Sequence, residues 1–233
     1  MATFLQKLAA RSNKASTKAL SHRDALARVA AKVSEINTVL DIGAARGAWS
    51  IQAEKHWPTA SYHLLEAKPL WTRDLEQLAK KKENFSYSLK AASDKPGSVY
   101  FPTEGEPYAG AAFKGNDSRE DLTEVPATTL DQEAKEHNFS GPFAIKLDTH
   151  GTEVDILKGA TTVLKNTSLI CIEAYNFMGQ KRFPEMLIYL QTLGFRTADI
   201  AEPVFRKSDA SLWQVDFYLL RRDHHIFEDY GFE

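Results

Sequence analysis

The 233-residue chain has a single cysteine, Cys171, which excludes an intrachain disulfide and any metal site built from several thiolates. That cysteine lies in the apolar run Leu169-Ile170-Cys171-Ile172, where a buried structural thiol is expected rather than a nucleophile. No apolar stretch reaches the roughly eighteen residues that a membrane-spanning helix needs. Nor does a continuous apolar core follow the N-terminal charges, so a secretory signal is not expected and cytoplasmic residence is. Charge of one sign is also lacking. With 29 basic and 31 acidic residues the net charge is −2, which gives no reason to expect a nucleic-acid partner. Internal repeats are absent.

What remains is the composition of an enzyme domain: 43% hydrophobic, 26% charged and long enough for one sizeable α/β core. Residues 1–35 stand apart as a basic, helical N-terminal arm, with Lys7, Arg11, Lys14, Lys18 and Arg23 preceding the first acidic residue, Asp24. A solvated leading helix packed loosely on the domain is the expectation. A transit peptide or peripheral contact with a membrane surface fits the same composition.

The most informative segment is Thr38-Val39-Leu40-Asp41-Ile42-Gly43-Ala44-Ala45-Arg46-Gly47. It reads as a buried strand delivering a glycine turn into a helix, the arrangement that holds a nucleotide-like cofactor. About twenty residues on, Ala60 to Leu65 forms a second strand ending at Glu66, where a parallel α/β sheet places an acceptor for ribose hydroxyls. The loop lacks the three glycines of a dinucleotide fingerprint. Asp41 at its entry would repel a pyrophosphate but can accept from a cationic amino group. An adenosine joined to a charged amino acid fits better, which points to S-adenosylmethionine. Asp41 could instead cap the following helix, leaving the glycines to serve the turn alone.

Strands and helices alternate from there on. Helices are expected from Gly47 to Trp57, from Pro69 to the Lys80-Lys81-Lys82 cluster, from Thr128 toward His137, from Thr152 to Leu164 and from Phe183 to Leu193. Strands are expected at 85–89, 98–101, 143–147, 169–172, 195–200 and 215–220. Residues 102–124, rich in Gly, Pro, Asp, Glu and Ser, read as a long loop of the kind that often serves as a lid, with Tyr108, Lys114, Asn116 and Arg119 able to meet an acceptor. The order predicts a doubly wound, mostly parallel Rossmann-like sheet closed by a C-terminal antiparallel hairpin. Trp49, Trp57 and Trp71 pack helices on that sheet. Asp216, in a strand, either faces the pocket or lies at an edge toward solvent. His224 and His225, adjacent near the tail, do not make a metal pair.

Several separated motifs carry a family resemblance: Val39-Leu40-Asp41-Ile42-Gly43-Ala44 with Gly47, Leu65-Glu66, Ala91-Ala92-Ser93-Asp94 and Val125 to Asp131. Further ones are Ile145-Lys146-Leu147-Asp148-Thr149-His150-Gly151-Thr152-Glu153 with Leu157-Lys158-Gly159-Ala160, then Ile172-Glu173, Leu193-Gly194-Phe195 and Asp216-Phe217-Tyr218. On these the chain resembles the FkbM family of S-adenosylmethionine-dependent methyltransferases, over a domain at residues 36–222 followed by a tail at 223–233. The first motif is shared by most methyltransferases; the block from 145 to 160 with Thr129-Leu130-Asp131 is specific to this family.

The resemblance implies a class I methyltransferase fold and methyl transfer to an oxygen, commonly a hydroxyl of a carbohydrate or related small metabolite or glycan. It places Asp41, Gly43, Ala44 and Gly47 at the methionine part of the cofactor, Glu66 at the ribose and Ala91 by the adenine. Asp148 and His150 fall beyond the end of the fourth core strand and Glu173 at the end of the next. A hydroxyl needs a base as the sulfonium methyl is attacked, and His150 is a suitable one, with Asp148 or Glu173 to orient it, bind hydroxyls or hold a divalent ion. The family usually has Glu or Gln where His150 stands. Each of the three also has a plain reading: a partly exposed histidine, a helix cap at Asp148 and a partner to basic groups at Glu173. No metal is expected. A catalytically silent binding protein and a nicotinamide-dependent oxidoreductase are the other functional readings, the second opposed by Asp41 and the missing middle glycine.

Overall fold

In the computed structural model, which describes residues 20–102, 122–177 and 179–229, the chain forms one seven-stranded sheet with helices on both faces and a small second sheet. The lid expectation at 102–124 and the arm's first four basic residues fall mostly outside the described residues. Six of the large sheet's strands are β1 (Thr38–Ile42), β2 (Ser61–Leu65), β3 (Phe85–Ser88), β7 (Phe143–Leu147), β8 (Thr167–Tyr175) and β9 (Phe195–Phe205). β10 (Leu212–Arg221) lies between β8 and β9 and runs antiparallel to both, in the order β3-β2-β1-β7-β8-β10-β9. The order reverses between β1 and β7, where the ends of two parallel strands splay their following loops apart and open a crevice.

β1 is buried along its whole length, because the sheet is covered on both sides. Its period-two alternation sends Leu40 and Ile42 into one core with Leu65, Ile145, Leu147, Ile170 and Ile172, while Val39 enters the other with Tyr62, Leu64, Leu169 and Cys171. The second core is covered by α1 (His22–Ala30), α2 (Ala48–Ala53) and α3 (Thr72–Lys81), through Leu26, Trp49 and Leu75. α1 carries Ala25, Leu26 and Val29 fully buried, and Ser21 caps it by accepting from the Asp24 amide at 3.2 Å. Trp49, Trp57 and Trp71 are all buried in this core, as expected of helix-packing aromatics.

The first core is covered by α4 (Leu130–Glu136), α5 (Glu153–Lys158), α6 (Thr161–Lys165) and α7 (Phe183–Thr192). The apolar periodicity through Val154, Leu157, Ala160 and Leu164 predicts one helix, but the chain breaks into α5 and α6 at Gly159-Ala160. Two tertiary contacts cause the break. A Cβ at Gly159 would lie 2.2 Å from the Ser93 carbonyl oxygen, and the Asp131 carboxylate accepts from the amides of Thr162 and Val163 at 2.9 Å, starting a new helix there.

The second correction concerns the predicted loop at 102–124. β6 (Leu122–Thr128) already starts inside it and pairs with β5 (Gly97–Pro102) and β4 (Ala91–Ala92) in a three-stranded sheet. Pro126 masks the strand in the sequence. β4 pairs only with Ala127 and Thr128, so Pro126 has a neighbouring strand on one side alone, where a missing amide is tolerated. His224 caps a 3₁₀ turn at His225–Phe227, its Nδ1 accepting from the Ile226 amide at 3.3 Å.

Candidate functional site

The crevice at the switch point is an open cleft of about 710 Å³, counting the open space at its mouth. Gly43, Glu66, Ala91, Asp148 and His150 line it, together with Ala45, Leu65, Trp71, Lys90 and Phe101. Of the residues singled out by sequence, Asp41, Ala44, Gly47 and Glu173 do not reach its wall.

The loop after β1 is fixed from below. Gly43 has φ +72, and a Cβ there would meet the Asp148 carbonyl oxygen at 2.0 Å, so the two crevice loops touch at a point only glycine allows. Ala45, also at positive φ, turns its amide onto Glu66, whose Oε2 accepts it at 2.8 Å while Oε1 accepts the Lys68 amide at 2.8 Å. Glu66 is thus clamped at the cleft wall with one lone pair of each oxygen still unused. Burial raises its pKa, against the lowering effect of those two amides.

Asp41 is fully buried beneath the loop. Its Oδ2 accepts the Ser50 hydroxyl at 2.7 Å, and its Oδ1 has no hydrogen bond. It caps no helix: the N-cap residue of α2 is Gly47, and no side chain caps that end. The cation it meets belongs to the chain. Lys146 Nζ lies 3.6 Å from Asp41 Oδ1, 2.9 Å from Asp148 Oδ2 and 3.4 Å from the Gly43 carbonyl. Burial works against this ammonium, yet Asp148 and Asp41 hold its pKa well above the ordinary lysine value. Lys146 therefore ties the loops after β1 and β7 together. Sequence reasoning passed over it, although a lysine amid Phe143-Ala-Ile-Lys-Leu147 was the available signal.

The loop after β7 presents Asp148 and His150. Asp148 does not cap α5, whose N-cap residue is Thr152. Burial opposes its ionisation, but the Lys146 charge prevails and its pKa is lowered. His150 has φ +57, a conformation that costs a non-glycine residue roughly 1 kcal/mol or more and is held by its surroundings. Glu153 supplies part of that hold, accepting from the Gly151 amide at 2.9 Å and the Thr149 hydroxyl at 3.0 Å.

His150 Nδ1 faces the Tyr175 hydroxyl and lies 3.1 Å from Glu173 Oε2. The Tyr175 hydroxyl itself donates to Glu173, so it must accept from Nδ1–H, which leaves Nε2 as the basic nitrogen of the neutral ring. Nε2 sits 3.9 Å from Asp148 Oδ1. Glu173 raises the His150 pKa by its hydrogen bond, against burial. Glu173 is also bonded by the Gln214 amide, and burial raises its own pKa. Next to it in register on β10 is Asp216, buried in the interior of the sheet and not at an edge. Burial, reinforced by Glu173 and Asp148, pushes Asp216 up to about 8. His22, at the start of α1, covers it at 3.8 Å.

Asp148, His150 and Glu173 offer donor atoms within 4.8 Å of one another, a spacing that a divalent ion could bridge. They are already paired among themselves and with Lys146, Tyr175 and Gln214. A second donor set is His63, Glu133 and His137, of which Glu133 also anchors the cleft-lining Lys90 at 2.9 Å.

The family model described as methyltransferase FkbM domain matches residues 41–197. No curated protein matches the chain. Among solved structures it is similar to precorrin-6y C5,15-methyltransferase from Geobacter metallireducens GS-15, at 12% identity over 84% of this chain and 87% of that one, TM-score 0.46. It is similar to an rRNA methylase from Streptococcus thermophilus, at 11% identity over 84% and 93%, TM-score 0.47. A third is 1,6-didemethyltoxoflavin-N1-methyltransferase from Burkholderia thailandensis with bound S-adenosylhomocysteine, at 15% identity over 91% and 82%, TM-score 0.44.

Proposed function

From the premise that the chain belongs to the FkbM methyltransferase domain family, we propose that it transfers a methyl group from S-adenosylmethionine to a hydroxyl of a carbohydrate or related small metabolite, with His150 as the base. The observation that carries this reading is the His150 ring: Nδ1 is engaged by Glu173 and Tyr175, and basic Nε2 is turned toward Asp148, which lines the end of the cleft with it.

The cleft fits the cofactor. Glu66 keeps unused lone pairs for the ribose hydroxyls, while Leu65, Trp71, Ala91 and Phe101 give an apolar wall for the adenine. Gly43, Ala45 and Asp148 would hold the methionine part, with Asp148 as the carboxylate for its amino group. Asp41 serves in our reading from beneath, through Ser50 and Lys146, and Ala44 and Gly47 through the shape of the loop. When bound, the cofactor supplies a methyl carbon made electrophilic by a sulfonium. The chain then has to align a hydroxyl with that carbon and take its proton. Glu173 fixes the ring and stabilises the imidazolium that forms, Tyr175 fixes the tautomer, and Lys146 keeps Asp148 ionised. Residues 36–222 form the catalytic domain in this reading, with 1–35 leading in and 223–233 as tail.

The test is to supply isotopically labelled S-adenosylmethionine with a panel of glycosides and locate the label by mass spectrometry and NMR. The expected product is a methyl ether. His150→Ala lowers turnover by about 10²–10⁴-fold and leaves S-adenosylhomocysteine affinity unchanged. Label on nitrogen, or unchanged turnover in the variant, contradicts the assignment.

A further inference from the structure

His63 is a fully buried histidine in the middle of β2, on the side of the sheet that α4 covers. There Glu133, equally buried, brings Oε2 to 2.9 Å from its Nε2. The rest of the carboxylate is engaged as well: the Ser88 hydroxyl donates to Oε2 at 2.9 Å and Lys90 to Oε1 at 2.9 Å. His137, the C-cap residue of α4 one turn beyond Glu133, places its own Nε2 3.6 Å from that same Oε2. Its ring packs on His63, with centroids 4.3 Å apart, and on Phe139 at 5.3 Å and 13°. Among the described residues neither ring nitrogen of His137 has a hydrogen bond, and its side chain is 35% exposed. Packing thus sets two imidazoles around one carboxylate oxygen, with a way in from solvent past His137.

We propose that His63 Nε2, Glu133 Oε2 and His137 Nε2 bind a zinc ion, with water as the fourth ligand on the open side of His137. Tetrahedral zinc with ligands at about 2.0–2.1 Å separates its donor atoms by about 3.3–3.4 Å. The separations of 2.9 and 3.6 Å bracket that value, and all three donors lie within 4.8 Å of one another. Two imidazoles and one carboxylate suit zinc; magnesium and calcium want oxygen ligands throughout. Burial lowers the His63 pKa, against the Glu133 hydrogen bond, so the ring is neutral, the form that ligates. Without zinc its hydrogen sits on Nε2 and is donated to Glu133. With zinc there, the hydrogen moves to Nδ1, where the Ser86 Oγ accepts it at 2.8 Å and turns its own toward the Tyr62 carbonyl at 3.4 Å. Lys90 keeps its bond to Oε1. The site stands apart from methyl transfer, since none of its three ligands lines the cleft. Bound zinc ties α4 to β2 and steadies the carboxylate that anchors the cleft-lining Lys90.

Calorimetric titration of the full chain, stripped with a chelator and then supplied with zinc, tests the site. The expected result is a single zinc site that raises Tm and that magnesium does not fill. Cobalt in its place gives the strong visible absorption of a four-coordinate ion. His137→Ala, at a partly exposed helix end, weakens zinc binding at least about tenfold, whereas His150→Ala leaves it unchanged. In the parent chain, NMR of ¹⁵N-labelled histidine shows the Nε2 signals of His63 and His137 shifting together as zinc is added, a readout that needs no variant to fold. Absence of a zinc site, equal filling by magnesium or equal affinity in His137→Ala overturns the proposal. So does loss of zinc in His150→Ala, which places the ion at Asp148 and Glu173, or a shift at His22 in place of His63, which places it at Cys171 and Asp216.

Discussion

Replacing Lys146 by methionine keeps the side chain's length and removes the ammonium that pairs with both Asp41 and Asp148. Asp41 is fully buried and its Oδ1 has no hydrogen bond, so Lys146, 3.6 Å away, is its compensating charge on that side among the described residues. Asp148 loses an ammonium at 2.9 Å. Taking away one member of a buried ion pair leaves the other charge uncompensated and costs about 3–5 kcal/mol. In a chain of this size each kcal/mol moves Tm by about 2–4 °C, so a fall of about 6–20 °C is expected in thermal denaturation at neutral pH. The deficit should shrink as pH falls. Without the ammonium, the native carboxylates bind protons more readily than unfolded ones do, so acid stabilises the variant relative to the parent chain. Adding Asp41→Asn to Lys146→Met should recover at least about 1 kcal/mol in a double-mutant cycle. A Lys146→Met protein within about 1 kcal/mol of the parent, insensitive to pH, would refute the assignment of this lysine as the tie between the loops.

Further outcomes follow from the same geometry. Glu173 raises the His150 pKa above its usual 6.5, so a base at His150 gives kcat/KM a rising limb centred above that value, and Glu173→Gln should move the limb to lower pH. The stability from the His150–Glu173 pair is fully present below about pH 6.5 and is lost as pH rises through the raised native value, which urea titrations across that window would detect. Asp216, pushed up to about 8, keeps its proton in the native state after the unfolded state has lost it. Native stability therefore falls as pH rises from about 4 to about 8, by up to about 1.4 kcal/mol per unit, and Asp216→Asn should flatten that slope. Gly43→Ala forces a Cβ into the Asp148 carbonyl and costs about 2–4 kcal/mol, read as a loss of denaturation midpoint.

The parallel sheet was legible because its strands are continuous apolar runs bounded by glycine and polar turns; β7 came out with the bounds read from sequence, and β1 lies within the run read as strand and turn. Elements set by tertiary contact were not. The break at Gly159 depends on Ser93 and Asp131, far away in sequence, and β6 is disguised by Pro126. In the site, Gly43 and Glu66 were read from the spacing of loops at strand ends, Ala91, Asp148 and His150 from the family resemblance, and all five line the cleft. The expected direct contact of Asp41 with a ligand could not be judged from the sequence, since only the structure shows it lying beneath the loop against Ser50 and Lys146. Gln214 and Trp213 reach the reactive edge because β10 runs antiparallel beside β8, a pairing that no local pattern announces.

The central claim is that the crevice between β1 and β7 holds S-adenosylmethionine through Glu66. Calorimetric titration of the parent chain and Glu66→Gln with S-adenosylhomocysteine, and separately with NAD, tests it most directly. S-adenosylhomocysteine is expected to bind the parent chain, about 10- to 100-fold more weakly in the variant, and NAD to bind neither. Binding of NAD, or no heat from S-adenosylhomocysteine, would contradict it.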